Sequence, residues 1–144
     1  MSNSHDPQLA DPARAGVYFV SAQDLDVLAA FAVQAQLLVR RIDLLGVRDK
    51  RTLLLRMAVA LDFPMAAGRN WEGLLAGLRD LQWLPAPGYV LLLEGAGEMH
   101  AHDESDFDTL VAVLDKAQAA WRARNVPFWA FMALRDADIA GLQG

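Results

Sequence analysis

The stretch FPMAAGRNWEGLL, residues 63–75, joins a turn to the start of an amphipathic helix. Its proline and glycine break the preceding structure, and the side-chain oxygen of Asn70 can accept a hydrogen bond from an N–H two or three residues on. Apolar side chains then recur at helical spacing, at positions 71, 74, 75, 78 and 81. This pattern predicts a helix from Trp71 to about Leu81 with its apolar stripe, Trp71 included, in the core.

Four short apolar runs outside this helix predict four strands, at residues 16–20, 37–44, 89–94 and 126–132. The run YVLLLE is apolar almost throughout, which is typical of a strand covered on both faces in a parallel sheet. Further helices are predicted to start near Asp24, near Asp49 and at Ser105, the last through a capping box with Asp108. Strands that alternate with helices predict an α/β fold, a small and mostly parallel sheet of about three or four strands with helices packed on it.

Length and composition indicate one ordered domain, because the chain has 144 residues of which 54% are hydrophobic and 22% charged. We expect a flexible N-terminal tail at residues 1–14, a single domain at 15–136 and a C-terminal tail at 137–144. The first residues lack the basic-then-apolar pattern of a secretion signal, and no apolar run approaches the roughly 18 residues of a membrane span. These features predict a soluble, cytoplasmic protein without a membrane partner.

The net charge and the available side chains exclude or disfavour several classes of function. A net charge of −5 disfavours nucleic-acid binding, which needs a basic excess. The chain has no cysteine, so thiolate nucleophiles and cysteine-bound zinc are excluded. The pattern of glycines at Gly95 and Gly97 lacks the third glycine of a dinucleotide fingerprint. We therefore expect no cofactor and no enzymatic activity.

One metal site has to be weighed against this expectation. His100 and His102 lie just beyond the third predicted strand, where Asp103 or Glu98 could complete a set of ligands. No further histidine is available within the fold, and residues 95–106 otherwise have the composition of a polar, acidic loop. The pattern favours a solvated loop over a metal centre.

From about Ile42 to Leu134 the chain resembles the barstar family of ribonuclease inhibitors. The resemblance rests on the motifs LDFP (residues 61–64) and NWEGL (residues 70–74), on Gly68 between them, and on the later strands and helix in the same order. The chain is similar to a longer bacterial branch of that family, and residues 16–40 would then be an additional strand and helix.

The resemblance implies an intracellular, immunity-type inhibitor that fills the active site of a basic ribonuclease with acidic side chains, and hence a protein partner. These acids would stand on the helix after Asn70 and on the loop before it. Glu72 matches the family's first helical acid, while Gly68 and Asn70 match the turn that presents it. Asp80, on the same face two turns later, could add charge.

The chain departs from the family pattern at several of the charged positions. The family's strongest helical acid falls on Ala76, its aromatic pair falls on Ala66 and Ala67, and Met65 replaces an acid. The acid of the last helix falls on Lys116. The predicted partner-binding residues are Gly68, Asn70, Glu72, Ala76 and Asp80.

Two further interpretations stay open at this point. The chain could be an interaction module of barstar-like fold that no longer inhibits barnase-type ribonucleases, and that acts as a regulator or associates with itself through the apolar patch around Met65. It could also be a metal-dependent enzyme that uses His100 and His102. The sequence does not identify the partner or the oligomeric state.

Overall fold

A four-stranded parallel sheet forms the centre of the computed structural model, which describes residues 8–64, 67–135 and 138–139. The strands are β1 (Val17–Ser21), β2 (Leu38–Asp43), β3 (Tyr89–Glu94) and β4 (Phe128–Leu134). They lie in the order β1-β4-β3-β2, and each neighbouring pair is parallel. The predicted α/β class, with a small parallel sheet and helices packed on it, is confirmed.

Helices cover both faces of the sheet and divide the interior into two cores. They are α1 (Leu25–Gln34), α2 (Lys50–Ala60), α3 (Trp71–Asp80), α4 (Ala96–His102) and α5 (Glu104–Ala123). The core under α1 contains Val90 and Leu92, whereas the core under the other helices contains Leu91 and Leu93. Alternate residues of β3 thus enter opposite cores, which explains why its sequence is apolar at nearly every position.

The chain crosses the sheet in two opposite directions. From β1 it passes by way of α1 to β2 at the far edge, and it then returns through α2 and α3 to β3 and through α4 and α5 to β4. Right-handed crossovers that travel in opposite directions place their helices on opposite faces. This rule accounts for α1 lying alone on one face.

Part of the predicted N-terminal tail lies against the sheet instead of in solution. Leu9 is only 2% exposed, and the indole Nε1 of Trp129 donates a hydrogen bond of 2.8 Å to its carbonyl oxygen. Arg122 donates to the carbonyl oxygen of Ala15 at 2.7 Å. Leu9, within the stretch predicted as a tail, is thus packed against the sheet, while residues 1–7 lie outside the described part. In the predicted C-terminal tail, Ile139 packs against the core under α2, α3 and α5.

The segment predicted as an acidic loop, residues 95–106, is mainly helical. Gly95 has a left-handed conformation (φ 74°), α4 follows it, and α5 begins at Glu104. The N-cap of α5 is Asp103, whose Oδ1 accepts from the Asp106 N–H at 3.0 Å, so the prediction of Ser105 as the cap is wrong. Burial of Ala96 and Met99 stabilises α4, and no local pattern in this short, polar segment signals that burial.

Among the described residues, no helix has both the length and the apolar character needed to cross a membrane.

Replacement of Asp103 tests this assignment of the α5 cap. We expect Asp103→Ala to lower the free energy of unfolding by about 1 kcal/mol, because the Asp106 N–H loses its acceptor. Asp103→Asn retains an acceptor and should change stability by less than about 0.5 kcal/mol, as should Ser105→Ala. Urea unfolding followed by circular dichroism measures all three, and a larger loss in Ser105→Ala than in Asp103→Ala would contradict the assignment.

Candidate partner-binding site

The turn that ends α2 sets the course of the loop before α3. Asp62 has a left-handed conformation (φ 53°), and the Phe63 N–H donates to the carbonyl oxygen of Ala58 at 2.9 Å. This bond closes the last turn of α2 and satisfies a carbonyl that would otherwise lack a partner. The Asp62 carboxylate lies 3.2 Å from the guanidinium of Arg40 on the edge strand β2. The start of the loop is thereby attached to both α2 and the sheet.

The cap predicted at the start of α3 is present. Asn70 has an extended backbone, and its Oδ1 accepts a hydrogen bond of 2.7 Å from the Gly73 N–H. Trp71 is half-buried and packs against the core as the first residue of the helix, and Leu74 and Leu78 are fully buried. The helix ends at Asp80, one residue before the predicted end, since Leu81 has a left-handed conformation (φ 47°).

The loop is held against α3 by the ring of Phe63, which lies over two glycines. A Cβ atom added to Gly77 would lie 2.6 Å from Cζ of that ring, and one added to Gly68 would lie 2.8 Å from Cδ2. Neither distance is possible between real atoms, so only glycine permits this packing. Trp83 contacts the ring edge-on, with 5.2 Å between centroids, and its Nε1 donates to the carbonyl oxygen of Leu61 at 2.9 Å.

An open groove of about 450 Å³, hereafter the α3 groove, lies between this loop and α3. Gly68, Asn70, Ala76 and Asp80 line it, so the structure brings together four of the five predicted site residues. The other lining residues are Pro64, Ala67, Arg69, Gly73, Gly77, Gln82 and Trp83. Glu72 does not line the α3 groove, although it is exposed on the first turn of the same helix.

The charged groups at the α3 groove are exposed and are not neutralised by one another. Within the described ranges, neither Glu72 nor Asp80 takes part in an ion pair, and the same holds for Arg69. The wall between the two acids contains Ala76 and the buried Gly77, which carry no charge. The groove therefore has an apolar middle, a carboxylate at one end and a guanidinium on the loop side.

Several residues of the site were not predicted from the sequence. Phe63 and Trp83 hold the loop in place, and Gln82 lines the α3 groove beside Trp83. Gly77, in the middle of α3, is a local signal of this packing. Glycine destabilises a helix by about 1 kcal/mol relative to alanine, so its presence there indicates a compensating reason such as close packing. Lys116 is exposed on α5, which packs beside α3, but it does not line the groove. Met65 and Ala66 lie outside the described residues.

The two histidines of the possible metal site are on α4 and not on a loop. Residues two apart on a helix point in different directions, so His100 and His102 cannot converge on one ion. His100 contacts the ring of Phe107 edge-on, with 4.7 Å between centroids. No group of three or more potential metal ligands is found in the part of the chain that the structure describes.

Comparison with known protein families identifies one match. The family described as Barstar (barnase inhibitor) matches residues 37–133, well over half of the 144-residue chain. The matched range contains β2, β3, most of β4 and the helices between them, so it includes the α3 groove, whereas β1 and α1 precede it. No curated protein and no solved structure was found to match the chain.

The packing of Phe63 on glycine can be tested by replacing Gly77. In an ordinary helix Gly→Ala stabilises by about 1 kcal/mol, but here we expect Gly77→Ala to destabilise by about 1–3 kcal/mol, because its Cβ displaces the Phe63 ring. In the Phe63→Leu background, where Cζ is absent, the same change should be much less harmful. Thermal unfolding of the four proteins measures this coupling, and equal effects of Gly77→Ala in both backgrounds would contradict it.

Proposed function

The chain belongs to the barstar family, and from this premise we propose that it is an intracellular, immunity-type protein inhibitor of a basic ribonuclease. In this proposal the protein acts by binding and not by catalysis, and it uses the loop and helix at residues 65–80. The observation that carries the proposal is the α3 groove, which is lined by Gly68, Asn70, Ala76 and Asp80. The turn and cap that form it lie within the range matched by the family.

The exposed acids explain how such a site could recognise a nuclease. An enzyme that binds the phosphates of RNA needs cationic groups in its active site, and carboxylates on an inhibitor can occupy the positions of those phosphates. Glu72 and Asp80 have no ion-pair partners among the described residues, so no internal bond has to break before they meet a cation. Close charge pairs at an interface can contribute several kcal/mol when water is excluded.

The uncharged middle of the α3 groove limits which groups of a nuclease can lie opposite it. Ala76 and the neighbouring glycines offer a shallow, apolar surface where the family places its strongest acid. A partner with an apolar side chain opposite Ala76 fits this surface better than one that presents a cation there. Arg69 on the loop side would in addition favour a carboxylate at the rim of the partner.

Titration calorimetry against a secreted, basic ribonuclease of the barnase type tests the proposal at low and at physiological salt. We expect a one-to-one complex that blocks RNA cleavage and weakens as salt increases, because exposed charge pairs are screened. Absence of binding at both salt concentrations would contradict inhibition of this nuclease class and would favour an interaction module of barstar-like fold.

Three variants locate the contact on α3. We expect Glu72→Gln to weaken binding by about tenfold, through loss of one interfacial charge. Ala76→Asp should weaken binding, because it places a carboxylate against the apolar side chain expected opposite this position, and tighter binding would indicate a cation there instead. Asp24→Asn makes the same charge change as Glu72→Gln but lies beside α1 on the opposite face, so it should leave affinity unchanged. Equal affinity of Glu72→Gln and wild-type protein would exclude this face.

A further inference from the structure

A second open groove, of about 840 Å³, lies on the other side of the same loop, between the loop and α2, and is called here the α2 groove. Its lining residues on α2 are Arg51, Leu54, Leu55, Ala58 and Val59. The turn and loop contribute Asp62, Phe63, Pro64, Ala67, Gly68 and Arg69. Four of these also border the α3 groove, namely Pro64, Ala67, Gly68 and Arg69, so the same part of the loop separates the two surfaces.

Two large apolar side chains of α2 are exposed at this groove. Leu55 is 61% exposed and Val59 is 67% exposed, although the opposite side of the same helix is buried in the core. They lie four residues apart, which places them next to each other on the helix surface. An apolar pair that is bordered by charged residues and adjoins a concave surface is typical of a protein contact.

The charges around this apolar pair have a self-complementary arrangement. Arg51 precedes Leu55 by one turn, and Asp62 follows Val59 just beyond the end of α2, so opposite charges flank the pair. The midpoint between the two charged residues and the midpoint between the two apolar residues both fall at residues 56–57. A two-fold axis through that point would place Arg51 of one copy opposite Asp62 of the other, and Leu55 opposite Val59.

We propose that the protein forms a two-fold symmetric dimer in which α2 of one copy packs antiparallel against α2 of a second copy, in the α2 groove. The apolar pair forms the centre of this contact, and two equivalent Arg51–Asp62 pairs close its ends. Arg51 makes no ion pair within the described residues, and the Asp62 carboxylate remains 61% exposed although it pairs with Arg40. Both groups can therefore reach a partner without breaking an existing bond.

Other charged groups near the contact are compatible with this arrangement. Arg69 lines the same groove and can share the Asp62 carboxylate of either copy. Arg56 is directed away, since its Nη1 donates to the carbonyl oxygen of Asp43 at 2.8 Å. The proposal goes beyond the ribonuclease proposal and does not depend on it, because no nuclease takes part in the dimer or in its test.

Sedimentation equilibrium of the full chain from about 10 µM to about 1 mM tests the dimer, since one pair of helices gives a contact at the small end of the interface range. We expect a monomer–dimer equilibrium in wild-type protein and at least tenfold weaker association in Leu55→Glu, which buries a charge in the apolar centre. Val33→Glu introduces the same charge at a valine on α1 that is 66% exposed, and it should associate like the wild type. A monomer at every concentration, or equal loss in both variants, would overturn the proposal.

Charge reversal tests the symmetry of the contact. Arg51→Asp alone places two acids opposite each other, and Asp62→Arg alone places two cations opposite each other, so each variant should dimerise more weakly than wild type. A mixture of the two variants restores both opposite-charge pairs, and we expect it to form a one-to-one dimer with about wild-type affinity. If Arg51→Asp weakens the dimer but the mixture does not recover it, while thermal unfolding shows both variants folded, the antiparallel arrangement is wrong. If Asp62→Arg does not fold, Asp62→Asn replaces it, because asparagine tolerates the left-handed backbone at this position. Asp62→Asn removes both ion pairs and should dimerise more weakly than wild type, and unchanged association would overturn the proposed pairing.

Discussion

The contact of the Phe63 ring with Gly68 and Gly77 is the constraint on which the described surfaces depend. It requires a left-handed backbone at Gly68 (φ 76°), and it requires that residue 77 of α3 has no side chain where the ring crosses the helix. Trp83 supports the ring from the side and is itself anchored to the end of α2 by a hydrogen bond. These contacts link α2, Phe63 and Gly68 of the loop, and α3, so they fix how Gly68 lies between the α2 groove and the α3 groove. A bulkier residue at either glycine would displace the Phe63 ring, which lines the α2 groove and packs beside the α3 groove.

The sheet supplies the rigid support for this arrangement. The central strands β3 and β4 are buried almost throughout, whereas the edge strands β1 and β2 are mostly half-buried. The N-terminal strand and α1 extend the sheet and the cover of helices on it beyond the part that the barstar family matches. This cover buries Trp129 and Phe131 on the second side of the sheet, and removal of their apolar surface from water favours folding. The extension therefore stabilises the domain from the face opposite the candidate site.

The two grooves differ in the chemistry that they offer. The α3 groove has one carboxylate and an apolar wall of small residues, with a second carboxylate on the helix nearby, whereas the α2 groove has two large aliphatic side chains between opposite charges. A family resemblance points only to the first of these surfaces. Leu55 and Val59 lie outside the buried helical pattern of α2, which accounts for their exposure. The concave surface beside them, in contrast, exists only because the loop packs next to α2.

Local patterns in the sequence determined the strands, the cap at Asn70, the start of α3 and the parallel α/β class, because hydrogen-bonding caps and apolar periodicity act over a few residues. The helical state of residues 96–102 and the packing of Leu9 were decided by the tertiary structure, since both depend on burial against distant parts of the chain. The same holds for the candidate site. Its individual residues on the cap and α3 could be predicted. Phe63 and Trp83 joined it only through long-range contacts, because Phe63 meets Gly77 across 14 residues of chain and Trp83 across 20. Short-range rules contain no information on such contacts, because their energy arises from packing between elements that meet only after the chain has folded.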